Sequence, residues 1–156
     1  LEKVCALTGE NEVKDSDIER VVVANIQANI FALNKLIIAR DADNAYKQLN
    51  ILFEKKEEPI AILSVLSSAY IDIYRVKTAI DSGSNYRDLS KNFDYKGREF
   101  KLDIAFKDGK NLSMQQIRLC LDEILKADLK LKSSRLDNKI ILETLIANML
   151  YIISAK

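Results

Sequence analysis

The chain has 156 residues, 48% hydrophobic and 30% charged, the profile of a folded globular protein rather than a disordered one. Its 24 basic and 23 acidic residues leave a net charge of +1, so there is no global electrostatic footprint for nucleic acid and any such contact must be local. The absence of histidine excludes Ser-His-Asp and Cys-His nucleophile systems, zinc fingers and Glu-x-x-His di-iron bundles.

In chain order, L-E-K-V-C-A-L reads as the interior of a helix ending near Gly9. With Leu1 in place of Met and neither a basic n-region nor a continuous apolar run, it is no signal peptide, and the chain reads as a piece of a longer protein. Ser16 and Glu19 have capping-box spacing and open a short helix through Ile18, Val21 and Val22. The polar segment A-N-I-Q-A-N is expected to be a linker, with Asn29 capping a helix of Phe31, Leu33, Ile37 and Ile38 that ends near Arg40. Asp41 or Asp43 caps the next helix, where Ala45, Leu49, Leu52 and Phe53 recur at three and four residues before the charged run E-K-K-E-E. Pro59 suits a first helical turn, where its missing N–H has no partner to lose. An apolar stripe follows through Ile62, Leu63, Leu66, Ala69, Tyr70, Ile73, Val76, Lys77 and Ile80, roughly 30 Å of helix stopped by Gly83. Its Asp72, Arg75 and Lys77 are too costly for a membrane span.

Beyond Ser84, N-Y-R-D-L-S-K-N-F reads as a short helix, and a turn at 94–97 leads to a second helix carrying Phe100, Ile104 and Phe106 up to Gly109. Ser113 and Gln116 form another capping-box pair, followed by Ile117, Cys120, Leu121, Ile124, Leu125 and Leu129 along one face. The alternating A-D-L-K-L-K-S-S-R-L-D reads as a joint. Lys130 and Lys132 complement a helix C-terminus, Ser133–Arg135 connect, and Asp137 caps the next helix, with Leu136 and Ile141 as a hydrophobic staple. The last helix carries Ile140, Ile141, Leu145, Ile146, Met149, Leu150 and Ile153. Four glycines and one proline are too few for the turns of a β-sandwich or barrel, so the expected fold is all-α, a helical bundle. Cys5 and Cys120 lie far apart without a C-x-x-C, as in a reduced cytoplasmic protein.

Conventional active-site chemistry is missing. The carboxylate pairs Glu57/Glu58 and Asp122/Glu123 read as solvated charge, because adjacent helical residues point apart. The isolated glycines form no phosphate-cradling loop. No catalytic, cofactor-binding or metal-ligating residue is assigned. Residues 84–109 resemble a helix-turn-helix in which Lys96, Arg98, Lys101 and Lys107 are candidate nucleic-acid contacts, interleaved with Tyr86, Phe93, Tyr95 and Phe100. Asp88, Asp94, Glu99, Asp103 and Asp108 dilute that charge, so packing plus a solvated face is the preferred reading. Tyr70 and Tyr74 share a face around Asp72 and Arg75 and are expected at the rim of the core.

An ordered set of short segments resembles the bacterial DNA polymerase III delta subunit family. Ala127, Asp128, Leu131, Lys132, Ser133, Asp137, Leu142 and Glu143 fit its closing A-D-x-x-L-K-[ST] run and leucine-rich helix. N-I-F-A-L-N-K-L, E-E-P-I-A-I-L-S-V-L, Y-I-D-I-Y-R-V-K and D-L-S-K-N-F are similar to successive upstream segments, with Lys56 where the family usually has glycine. V-K-D-S-D-I-E looks like the end of the family's second domain, and Y-K-G-R-E-F-K departs from its Pro-Phe pair.

The resemblance implies a clamp-loader subunit, a non-catalytic relative of AAA+ ATPases. Residues 1–24 would be the tail of the helical lid and 25–156 the C-terminal collar, an oligomerisation domain. No enzyme activity or cofactor is implied for the chain itself, whereas the parent complex has DNA-directed DNA polymerase (nucleotidyltransferase) activity. Implied partners are the gamma/tau and delta-prime subunits through the collar, the sliding clamp only through a missing N-terminal part, and primed DNA as substrate of the whole complex, with no membrane. The implied location is the cytoplasmic, nucleoid-associated replisome.

Overall fold

Asp41, Ser113 and Asp137 each begin a helix by satisfying a backbone N–H that has no intrahelical partner. Asp41 accepts from the Asn44 N–H at 3.2 Å and Asp137 from Lys139 at 2.7 Å. Ser113 and Gln116 make the reciprocal box, at 3.1 and 3.0 Å. Pro59 occupies the first turn of its helix. The structure, a computed structural model, describes residues 15–155, with side chains described from residue 27 onward. Seven α-helices lie among the described residues: α1 Asp15–Ile38, α2 Ala42–Glu54, α3 Pro59–Asp81, α4 Leu89–Asn92, α5 Phe100–Gly109, α6 Met114–Ser133 and α7 Asn138–Ser154, with a 3-10 turn Tyr86–Asp88 before α4. No strand occurs among the described residues, and the chain is all-α as expected.

Three helices end in the same device. In α1, α2 and α3 the residue after the cap enters the left-handed region: Arg40 at φ 62°, Lys56 at 59° and Gly83 at 76°. The next N–H then reaches back to the carbonyls of Leu36, Leu52 and Ala79, at 3.0, 3.0 and 2.8 Å. This is the Schellman closure, which satisfies carbonyls that would otherwise lack donors. Glycine adopts such a backbone freely, whereas arginine and lysine do so at a cost.

The helix α3 is the hub. It packs against α1, α5, α6 and α7, while α2 bridges α1 and α7 and α7 lies along α6. Although α3 is long and apolar enough to cross a membrane by composition, its Ile62, Leu66, Tyr70, Ile73 and Val76 are sealed inside the bundle. They meet Ile30, Leu33 and Ile37 of α1, Leu102 of α5, Ile117 and Ile124 of α6, and Leu142 and Met149 of α7 in one core. At Gly109 α5 approaches so closely that an added Cβ would lie 2.8 Å from Ile73 Cγ2.

Several expectations are corrected. Residues 25–29 are not a linker: α1 runs through them unbroken, and Asn29 lies inside it rather than capping a helix. Within that segment Gln27 is exposed and Asn29 half-buried. Tyr70 is not at the rim but fully buried, while Ile80 at the end of the expected stripe is exposed and Ala79 is buried instead. Phe100, Leu125, Leu129 and Ile140 also stand exposed, as does Leu136, the outer half of the expected staple. The segment 1–9 lies outside the described residues, and the side chains of Ser16 and Glu19 lie outside the described side chains.

Candidate interaction surface

Three of the apolar residues left outside the core, Ile60, Ile71 and Leu125, lie between α3 and α6. Here they line an open groove of about 620 Å³. Leu63 and Ile124 form its buried floor, and Ile60, Ile71 and Leu125 rise as half-exposed walls. Ser64, Ser67 and Ser68, at positions i, i+3 and i+4, lie on one face and keep the groove shallow of side chains. At one end Lys132 is paired with Asp128 at 2.7 Å.

Asp72 and Arg75 close the other end. Asp72 is buried, and its carboxylate accepts the Tyr95 hydroxyl at 2.5 Å, which satisfies a charge otherwise costly to bury. The same hydroxyl accepts from Arg75 Nη1 at 3.1 Å, while the Arg75–Asp72 ion pair is looser, at 3.7 Å. The guanidinium lies 4.1 Å from the Phe93 ring centroid, a cation–π contact. Together these contacts staple the 93–95 segment to α3. Burial, then the bond to Asp72, holds the Tyr95 hydroxyl above the ordinary tyrosine range.

The candidate nucleic-acid residues are scattered differently. Lys96 is exposed between α4 and α5, and Arg98 is occupied by Asp94 at 3.0 Å. Lys101 is half-buried on α5 beside Asp108, and Lys107 is exposed on the last turn of that helix. Lys96, Lys101 and Lys107 make no ion pair among the described residues. The aromatics split: Tyr95 is core, Tyr86 stacks on Phe106 with centroids 4.8 Å apart, and Phe93 and Phe100 are exposed. The Tyr86 hydroxyl, and then Arg87, hold the Asp103 carboxyl below its usual range.

The carboxylate pairs also divide. Asp122 is solvated as expected, but Glu123 is not: it takes Lys126 at 2.6 Å and the Asn148 side-chain amide at 2.6 Å, tying α6 to α7. Lys126 first, then Asn148, holds its carboxyl below the ordinary glutamate value. No group of three or more acidic, cysteine or histidine side chains able to hold a metal occurs among the described residues. Sequence reading missed the groove and the Asp72–Tyr95–Arg75 cluster. The available signal was Ser64, Ser67 and Ser68 on an otherwise apolar helix, with Asp72 and Arg75 one turn apart.

Comparison with known proteins gives this geometry its context. The family model for the DNA polymerase III delta subunit, C-terminal domain, matches residues 27–149. DNA polymerase III subunit delta of Bacillus subtilis (strain 168) is 23% identical over 151 residues, covering 96% of this chain and 43% of that protein. The solved structure of the Bacillus subtilis DNA clamp loader delta protein superposes with a TM-score of 0.76 at 23% identity, over 96% of this chain and 44% of that one. The chain thus spans less than half the length of the relatives it matches. With most of its length matched by that family model, the chain belongs to the family of C-terminal domains of DNA polymerase III delta subunits.

Proposed function

We propose that this chain is the collar part of a clamp-loader delta subunit, a module that joins neighbouring subunits and does no chemistry of its own. The family match over residues 27–149 supports the parent protein. The observation that carries the joining role is the α3–α6 groove, where Ile60 and Leu125 stand 55% and 58% exposed on facing walls. Apolar side chains grouped this way on a folded bundle mark a surface that a partner covers. Permanent interfaces of this sort bury on the order of 2,000 Å² or more, largely apolar.

On this reading the partners are the gamma/tau and delta-prime subunits, and the sliding clamp is reached through a different part of the delta subunit. The complex acts on primed DNA in the cytoplasm. Residues 1–24 belong to the lid and the remainder to the collar, with α1 carrying the chain from one to the other as continuous helix. Native mass spectrometry of the chain mixed with gamma/tau and delta-prime is the test. Stoichiometric association without ATP hydrolysis by the chain itself is expected. A well-folded chain that binds neither subunit sinks the proposal.

A further inference from the structure

We infer that the α3–α6 groove seats a helix of a neighbouring clamp-loader subunit, apolar on its docking face and bearing a carboxylate at the Arg75 end. The inference rests on the collar reading above and adds the face that is used and the chemistry of its occupant. From Ile60 to Arg75 the groove follows 16 residues of α3, about 22 Å, the length of a four-turn helix. Serines between apolar walls let a helix backbone approach closely, while Ile71 and Leu125 can interdigitate with its side chains.

The second observation is independent of the small-residue stripe. Arg75 is clamped by Phe93 at 4.1 Å and by its bond to the Tyr95 hydroxyl at 3.1 Å. Of its five N–H donors, only that on the Tyr95 bond has a hydrogen-bond acceptor among the described residues. Asp72, the nearest carboxylate, stands 3.7 Å away and already accepts from Tyr95. The Arg75 side chain is 34% exposed and lines the groove. The result is a rigid cation with unspent donors beside an apolar surface, which matches a planar acceptor in bidentate geometry. At the far end Lys132 already hydrogen-bonds Asp128 at 2.7 Å, whereas Arg75 makes no hydrogen bond to a carboxylate among the described residues, and that difference in spent donors orients the occupant. Nucleic acid needs several free cations along its track, and this lining offers Arg75 and the already paired Lys132.

The test measures affinity of the chain for gamma/tau and delta-prime by titration calorimetry, with circular dichroism as a check on folding. Leu125→Asp and Ser67→Trp change the groove wall and floor, Arg75→Met removes the cation while keeping its stem, and Tyr151→Asp changes the exposed face of α7. The expected result is a loss of at least about tenfold for each of the first three and no change for Tyr151→Asp. Unchanged affinity in folded Leu125→Asp and Ser67→Trp, or a loss confined to Tyr151→Asp, overturns the assignment of the groove while leaving the collar reading intact. Full affinity in Arg75→Met overturns the carboxylate. Wild-type self-association abolished by Leu125→Asp identifies the occupant as a second copy instead. No binding of the wild-type chain to either subunit removes the collar reading and this inference with it.

Discussion

The Tyr95 hydroxyl donates to the buried Asp72 carboxylate while accepting from Arg75, so one phenol oxygen joins a loop, a core acid and a surface cation. Replacing Tyr95 by Phe removes the donor and leaves the carboxylate buried beside a single loose ion pair. The expected cost is about 1–3 kcal/mol in urea unfolding. Because the two side chains act as a unit, Asp72→Asn combined with Tyr95→Phe is expected to cost less than the sum of the single changes. Additive costs would show that the bond contributes nothing specific.

Lys56 sits at φ 59° in a closure that glycine adopts without strain. Lys56→Gly is therefore expected to raise stability, by up to about 1 kcal/mol after glycine's greater freedom in the unfolded chain is subtracted. Thermal unfolding of the variant checks the sign. Gly83→Ala, in the equivalent place after α3, is expected to lower stability by a similar amount.

Gly109 offers the opposite case, where space rather than backbone angle is limiting. A methyl group there meets Ile73 Cγ2 at 2.8 Å, so Gly109→Ala is expected to destabilise by about 1–3 kcal/mol as α5 is pushed from α3. In an Ile73→Ala background that contact is gone and the further cost of Gly109→Ala is expected to shrink. Chemical denaturation of the four combinations decides it.

Burial pushes the Cys120 thiol up to about 12, from an ordinary 9.0, and raises the neighbouring Tyr70 hydroxyl well above 10.0. Both groups are neutral in the folded chain at physiological pH, and both ionise more easily once unfolded. Their contribution to stability is thus complete below the unfolded thiol value and is lost as pH climbs from about 9 towards 12. A Cys5→Ser chain is expected to resist thiol-specific dyes in buffer and to react fully in urea. Cys120→Ala is expected to flatten the alkaline decline measured by urea unfolding at stepped pH.

Asn34 is buried on α1, and neither its amide nitrogen nor its oxygen finds a hydrogen-bond partner among the described residues. Asn34→Leu, close in volume and without polar atoms, is expected to stabilise the chain by about 1–2 kcal/mol, read from the urea midpoint. A destabilised variant would indicate that the amide is satisfied in solution.

What was legible in the sequence was local. The caps at Asp41, Ser113 and Asp137, the Pro59 start and the Gly83 stop all operate within a few residues, and each lies where its chemistry indicated. The stops at Arg40 and Lys56 lack the usual residue, yet the Asp41 cap that follows the first and the charged run after Phe53 still marked both. Partner geometry was not legible. Leu125 and Leu129 repeat with Ile117 and Ile124 at helical spacing, yet α6 turns them out of the core, because α3 and α7 pack against its other faces. The Asp72–Tyr95 bond joins residues 23 apart, across a turn whose path no periodicity reports. The linker expectation failed for a related reason: Asn25 and Asn29 weaken a helix only slightly, and the adjoining turns of α1 hold theirs in place.

That unbroken rod has a mechanical meaning. From Asp15 to Ile30, the first buried side chain among those described, lie about 22 Å of helix with no glycine or proline to bend at. A tilt imposed at the Asp15 end arrives at Ile30, Leu33 and Ile37 undiminished, as leverage on the core rather than slack in a tether. The bundle and whatever pulls on that end are therefore coupled stiffly.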